Sequence, residues 1–134
     1  MSGAISAERL HYFVLWCLVG AGLCAFFLYA CLMPSPPSEP GIPYFDKVEH
    51  AGSFIVMGAW FAAVFPRRLL RVGLWLAVFA AATELLQAAT GYRDGDILDW
   101  CADCAGLVIG IGAARLGAMN WLYGLDRFVA SKAH

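Results

Sequence analysis

The stretch LLRVGLWLAVFAAATELLQAAT, residues 69–90, is long and apolar enough to cross a lipid bilayer as one α-helix. Gly91 follows it directly, and glycine is typical of the position after a helix end. The second half of the stretch carries Glu84 and Gln87, which share one helical face at i and i+3. Because a carboxylate is costly in lipid, we expect Glu84 to face the interior of a helical bundle and to have a partner.

Three further apolar segments lie on either side of this stretch, at residues 11–33, 47–65 and 98–121, and Pro34 and Pro66 end the first two. The composition agrees, since 61% of the 134 residues are hydrophobic and 14% are charged, which excludes an ordinary soluble domain. We therefore predict an all-α fold, a single membrane-embedded bundle of four transmembrane helices. We expect the first helix to be an uncleaved signal anchor.

Two segments fall outside the predicted spans. Residues 34–44 hold five of the six prolines and are expected to form an extended connector outside the bilayer. Residues 120–134 have the pattern of a short amphipathic helix on the inner membrane surface, with a disordered tail as the alternative. Trp100 and Trp121 are expected at the two membrane interfaces, near the ends of the fourth helix.

Basic residues near the spans predict the orientation, because they are retained on the cytoplasmic side. One side would carry Arg9, Arg67, Arg68, Arg71, Arg115, Arg127 and Lys132, and the other only Lys47 and Arg93. Both termini are therefore predicted to be cytoplasmic. The net charge of −1 gives no support for nucleic-acid binding.

With this topology, a group of polar and ionisable residues gathers at the outer end of the bundle. The members are Asp46, Lys47 and His50 at the start of helix 2, Glu84 and Gln87 near the end of helix 3, Arg93 in the following loop, and Asp99 and Asp103 in helix 4. Three of the helices each place two polar groups on one face, at i,i+3 or i,i+4 spacing. We therefore predict one shared polar pocket at headgroup depth.

His50 and Glu84 are the candidate acid/base pair of this pocket, because Asp46 lies one turn from His50 and can orient the imidazole. Asp46, Lys47, Gln87, Arg93, Asp99 and Asp103 are the candidate ligand-binding residues, with Lys47 and Arg93 suited to anionic oxygens. A structural alternative stays open. Glu84 would then form an ion pair with His50, Lys47 or Arg93 that holds the helices together, and His50 would be a hydrogen-bonded interface residue.

Asp94 and Asp96 are expected to be solvated loop charges or caps of helix 4. No metal ligand is assigned. Cys101 and Cys104 form a CxxC that, together with His50, Glu84 and Asp99, offers an alternative zinc site, although a second CxxC is missing from the chain. The five cysteines lie in or beside apolar segments and do not indicate a disulfide framework.

Several short motifs occur in a specific order over about residues 45–112. They are Asp46-Lys47-Val48-Glu49-His50 with Phe54 and Gly58, then Arg67 and Arg68, Glu84-Leu85-Leu86-Gln87, Gly91-Tyr92-Arg93, and finally Asp99, Asp103, Gly106 and Gly110 in a D-x3-N/D-x2-G-x3-G arrangement. In this combination the chain resembles the VanZ-like family of small bacterial membrane proteins. Asp103 stands where Asn is more common and Asp96 where Ser is common, and the added negative charge would either change the choice of partner or favour cations in the pocket.

The resemblance implies a four-helix protein of the bacterial inner membrane, in a family whose namesake is linked to resistance to the glycopeptide teicoplanin. We expect the protein to bind or process an amphiphilic, lipid-linked envelope precursor at the outer leaflet. Membrane lipids are its other expected partners, and the formation of homo-oligomers stays open. The resemblance supplies neither a reaction nor a cofactor, so enzymatic activity stays open. The alternatives are a component of a proton-coupled transporter and a non-catalytic membrane assembly factor.

Overall fold

The computed structural model describes residues 10–34 and 41–133, and these residues form five α-helices. The helices are α1 Phe13–Leu32, α2 Phe45–Val64, α3 Leu69–Thr90, α4 Ile97–Arg115 and α5 Asn120–Lys132. The predicted all-α class is therefore confirmed. Most of the predicted extended connector, residues 35–40, lies outside the described residues.

Three of the described helices, α1, α3 and α4, are long and apolar enough to cross a membrane. Helix α2 has the same length as α1 but begins with the charged residues Asp46, Lys47 and Glu49, which lower its mean hydropathy. It is nevertheless well enclosed, because Phe54 and Ala62 in its middle and second half are fully buried. The four helices α1 to α4 are thus not equivalent, and α2 depends most on its neighbours for its environment.

Glycines bring α2 and α4 into backbone contact, and this pair shares the largest interface of the bundle. A Cβ at Gly106 would lie 2.2 Å from the carbonyl oxygen of Ala51, and a Cβ at Gly110 would lie 2.2 Å from that of Ile55. Residue numbers rise together along the two helices, so they run parallel. The small-xxx-small spacing on α4 therefore sets the distance between the helix that carries His50 and the helix that carries Asp99 and Asp103.

Aromatic side chains fill the space between α2, α1 and α3. The Phe27 ring lies edge-on to the Phe54 ring at 5.1 Å between centroids, and Phe79 packs against both. Val72, Leu76 and Ala80 of α3 complete this buried cluster. It separates the polar end of the bundle from the end at which α2 meets α3.

Helix 4 is shorter than the sequence predicts. It ends at Arg115, and Gly117 with φ of +96° reverses the chain before α5 begins at Asn120. Trp121 therefore belongs to α5 and not to the end of α4, while its place at a membrane interface stays a prediction. The predicted short C-terminal helix is present, and Leu122 and Tyr123 on its inner face are buried against Ala63, Val64 and Trp16.

Helix α5 is tied to the start of α1 by Asp126, which is buried. Its carboxylate accepts hydrogen bonds from the backbone N–H groups of His11 at 2.7 Å and Tyr12 at 3.0 Å, and from the Trp16 indole at 2.8 Å. Burial alone would raise the pKa of Asp126, but these hydrogen bonds outweigh it and lower the pKa below its ordinary value. A negative charge also complements the N-terminal end of the α1 dipole.

Candidate functional site

The polar end of the bundle is the end where α2 and α4 begin and where α1 and α3 finish. Gln87 near the end of α3 donates through Nε2 to the Cys31 carbonyl at 3.1 Å, and the Tyr92 hydroxyl donates to the Leu32 carbonyl at 2.9 Å. Gly91, with φ of +74°, ends α3 in the left-handed conformation. Four helix ends therefore meet in one layer, and Asp96 begins the return of the chain into α4.

His50 lies at the centre of this layer and is buried. Its Nδ1 is 2.9 Å from Asp103 Oδ1 and 3.9 Å from Glu84 Oε1, while its Nε2 is 4.0 Å from Asp99 Oδ2. The edge of the Phe27 ring covers the imidazole, with 5.6 Å between ring centroids. Carboxylates from α3 and α4 thus surround one imidazole from α2.

The two carboxylate oxygens of Glu84 face different neighbours, the α3–α4 loop and His50. Its Oε2 accepts a hydrogen bond from the backbone N–H of Asp96 at 2.8 Å, so the α3–α4 loop folds over it. This approach requires Gly95, where a Cβ would lie 2.6 Å from the Glu84 carbonyl oxygen. Its other oxygen, Oε1, is the one that faces His50.

Lys47 stands at the rim and is shared among three carboxylates. Its Nζ is 2.8 Å from Asp99 Oδ1 and 3.0 Å from both Asp46 Oδ2 and Asp96 Oδ2. Asp96 is also the N-cap of α4, because its Oδ1 accepts from the Leu98 N–H at 2.8 Å. That hydrogen bond, together with the one from Lys47, lowers the pKa of Asp96 below its ordinary value. The expected capping role of Asp96 is confirmed.

The structure brings some of the predicted site residues together and separates others. His50, Glu84, Asp99 and Asp103 form one buried cluster, with Lys47 and Asp46 at its rim. Gln87 uses its amide N–H on the backbone of α1 instead. Asp46 pairs with Lys47, and Asp103 is the carboxylate that contacts the imidazole. The expected orientation of His50 by Asp46 is therefore replaced by orientation through Asp103.

Arg93 does not join the cluster. It is half-buried in the α3–α4 loop, and among the described residues it forms no ion pair with Glu84 or with any other acid. Of the three partners expected as alternatives for Glu84, His50 faces it at 3.9 Å, while neither Lys47 nor Arg93 pairs with it among the described residues. The loop instead supplies the backbone N–H of Asp96.

Three buried acceptor atoms in this region lack a hydrogen-bond donor among the described residues, namely Glu84 Oε1, Gln87 Oε1 and Asp103 Oδ2. His50, Glu84 and Asp103 each offer a ligand atom, and these atoms lie within 4.8 Å of one another. Cys101 is exposed on α4, and neither Cys101 nor Cys104 belongs to this group. The arrangement supports proton transfer at the imidazole or coordination of a cation.

A cleft of about 400 Å³ lies beside the cluster, between the end of α3 and the start of α4. Glu84 and Asp96 contribute its polar wall, and the apolar wall consists of Ala81, Leu85, Ala88, Ile97 and Trp100. The Trp100 indole donates to the Ala77 carbonyl at 3.1 Å, which fixes the ring against α3. Glu84 therefore belongs both to the buried cluster and to the surface of an open, mostly apolar cleft.

Asp126 was not predicted to have a role, yet its carboxylate joins α5 to α1 at the opposite end of the bundle. A signal was present, since Asp126 follows Leu122 at i+4 on the apolar face of an amphipathic pattern. An acid on that face indicates a partner, but the pattern does not say which one.

The sequence profile described as VanZ/LLP1 matches residues 22–119 of the chain. This range includes α2, α3 and α4 completely, together with all residues of the buried cluster. None of the curated proteins and none of the solved structures compared matches the chain significantly.

Proposed function

Because the chain belongs to the VanZ/LLP1 family, we propose that it is a four-span protein of the bacterial inner membrane that binds the polar head of an amphiphilic, lipid-linked envelope ligand at the outer leaflet. The buried cluster receives the head, and the cleft between α3 and α4 receives the first part of the lipid chain. A contribution to teicoplanin resistance is the expected phenotype.

The distribution of basic residues supports the orientation that places the buried cluster at the outer leaflet. Arg67, Arg68 and Arg71 are exposed where α2 meets α3, and Arg115 is exposed at the same end of α4. At the other end Lys47 is already neutralised by three carboxylates. The positive end is retained in the cytoplasm, so the buried cluster faces the outer leaflet.

Glu84 supports this proposal because it borders the cleft and also faces His50 in the buried cluster. Ligand sites combine a mostly apolar concave surface with a few polar groups that fix orientation, and this cleft has that composition. One face of Glu84 borders the cleft while its Oε1 meets His50 at 3.9 Å. A ligand head at Glu84 would therefore lie within reach of the imidazole.

The chemistry available to this site is proton transfer. Asp103 at 2.9 Å orients His50, and a carboxylate that fixes the tautomer of an imidazole prepares it as an acid or base. Lys47 is not free to bind anionic oxygens, because its three donors are satisfied by acids. Arg93 remains the available cation for a phosphate group at the rim.

The experiment replaces Glu84 with Gln and uses Asp94→Asn as the matched control, since Asp94 is an exposed acid of the same outer loop. We expect Glu84→Gln to accumulate in the membrane and to unfold within about 1 kcal/mol of wild type, because the amide keeps one acceptor for the Asp96 N–H. Native mass spectrometry should show a co-purifying lipid, or added polyprenyl phosphate, on wild type and Asp94→Asn but not on Glu84→Gln.

Two results would contradict the proposal. If Glu84→Gln binds the lipid and protects cells as well as wild type, Glu84 is not part of a ligand site. If it instead loses stability by the several kcal/mol typical of a broken buried charge pair, the cluster is a structural clamp and the assembly-factor alternative is favoured. Proton-coupled transport would require uptake in proteoliposomes that is abolished by the same variant.

A further inference from the structure

The buried cluster and its rim together contain more negative charge than their own side chains can balance. Five carboxyl groups, those of Asp46, Glu84, Asp96, Asp99 and Asp103, surround one ammonium group and one imidazole. Among the described residues, the ammonium of Lys47 pairs with Asp46, Asp96 and Asp99. In the same part of the chain, Glu84 and Asp103 face no cationic group other than His50.

The two deep acids also leave acceptor atoms without donors. Glu84 is 8% exposed and Asp103 is 0% exposed, yet Glu84 Oε1 and Asp103 Oδ2 accept no hydrogen bond from the part of the chain that the structure describes. Buried charged groups are normally paired, hydrogen-bonded or bound to a metal, since a bare carboxylate loses its hydration without compensation. Glu84 Oε1 faces the imidazole, so this acceptor points into the cluster.

The donor atoms already lie close to the spacing that one cation requires. Ligand atoms that bind a zinc ion at about 2.0–2.2 Å are separated by no more than about 4.4 Å. Nδ1 of His50 is 2.9 Å from Asp103 Oδ1 and 3.9 Å from Glu84 Oε1, and the ligand atoms of the three residues lie within 4.8 Å of one another. Side-chain rotations that move a ligand atom by less than about 1 Å would therefore bring all three ligand atoms within bonding distance of one zinc ion.

Asp99 stands where a supporting residue of a metal-bound histidine is expected. Ligating histidines commonly donate their second ring N–H to a carboxylate, which fixes the tautomer. Asp99 Oδ2 is 4.0 Å from His50 Nε2, on the ring edge opposite Asp103 and Glu84. When Nδ1 gives up its proton to bind a cation, Nε2 carries the proton and faces Asp99.

We propose that His50, Glu84 and Asp103 bind one divalent transition-metal cation, with Zn²⁺ as the cation that best fits one imidazole and two carboxylates. Three protein ligands leave a fourth position for water or a ligand. Two carboxylates and a neutral imidazole also match the charge of a divalent ion. The inference rests on the geometry of the cluster and not on the lipid ligand proposed above.

The test measures zinc on the full-length protein purified in detergent, stripped with a chelator and titrated with ZnCl₂ by calorimetry. We expect about one equivalent on wild type and on Asp94→Asn, and binding at least 10-fold weaker in His50→Ala, Glu84→Gln and Asp103→Asn. Asp99→Asn should weaken binding about 10-fold, the lower end of the loss typical of a supporting residue. Loss of binding in a Cys101→Ser/Cys104→Ser variant, or unchanged affinity in all three ligand variants, refutes the assignment.

A measurement on wild type alone keeps the proposal testable if the variants do not fold. Co²⁺ added to the stripped protein should give d–d absorption bands in the visible range without a thiolate charge-transfer band, since the ligands are nitrogen and oxygen. A thiolate band would move the site to the cysteines. Failure of the wild-type protein to bind either Zn²⁺ or Co²⁺ stoichiometrically would show that protons balance the cluster.

Discussion

The backbone contact between α2 and α4 predicts that Gly106→Ala damages both stability and the buried cluster. The added Cβ would lie 2.2 Å from the Ala51 carbonyl oxygen, whereas such carbon and oxygen atoms normally stay about 3.3 Å apart. Because the obstacle is backbone, no side-chain rotation relieves it. The helices must separate by about 1 Å near this point.

The magnitude combines two opposing effects. Overpacking of this kind typically costs about 1–3 kcal/mol, while replacing a helical glycine with alanine returns up to about 1 kcal/mol. Because the clash is with backbone, we expect the upper part of the first range, about 2–3 kcal/mol, and hence a net loss of about 1–2 kcal/mol. The same separation would lengthen the 2.9 Å contact between His50 Nδ1 and Asp103 Oδ1 to about 3.9 Å, beyond hydrogen-bond range.

Thermal unfolding in detergent measures the stability, and zinc titration measures the cluster. Gly112→Ala is the matched control, since it lies on the same helix and a Cβ there would meet no atom within 4 Å. The control should be as stable as wild type or more stable, and should bind zinc normally. The reasoning is refuted if Gly106→Ala unfolds at the control temperature and binds zinc with the control affinity.

Two further predictions concern the ends of the bundle. Asp126→Asn should destabilise the contact between α5 and α1 by about 1.5–3 kcal/mol, the range for a hydrogen bond to a charged group. Hydrogen exchange at the start of α1 should speed up, while Ser131→Ala should behave as wild type. The pKa of Asp126 is lowered in the folded state. The stabilisation by its carboxylate is therefore present above the unfolded pKa of about 3.9 and is lost as pH falls through the folded pKa. An unchanged rate of hydrogen exchange at the start of α1 in acid would count against this role. A cysteine at exposed position Asp94, in a chain without native cysteines, should react with an impermeant reagent from outside intact cells, and labelling only after lysis would reverse the proposed orientation.

The helices of the bundle were largely predictable because local signals mark them. The third span was predicted at residues 69–90 and forms α3 Leu69–Thr90, since Gly91 gives a clear end. The fourth was predicted too long, because Leu116, Met119 and Trp121 continue the apolar composition past the true end. Hydropathy does not detect a reversal of the chain when the residues on both sides of it are apolar.

The cluster was predictable where spacing alone decides it. His50, Glu84, Asp99 and Asp103 lie on faces that the 3.6-residue period directs to one interior, and the structure brings them together. Arg93 was predicted in the pocket from its charge and its closeness in sequence to the other members. Neither feature determines the path of the loop that carries it. The partner of Asp126 was not predictable, because a contact between α5 and α1 depends on how the whole bundle closes.

The hydrogen bonds between Asp126 and the start of α1 can form only late in the synthesis of the chain. The start of α1, at His11 and Tyr12, is synthesised more than 100 residues before Asp126, so these N–H groups lack their acceptor during most of synthesis. Of the described helices, the one synthesised last therefore holds the start of the one synthesised first. A chain that stops before Asn120 would lack α5 and with it the Asp126 carboxylate that accepts these hydrogen bonds.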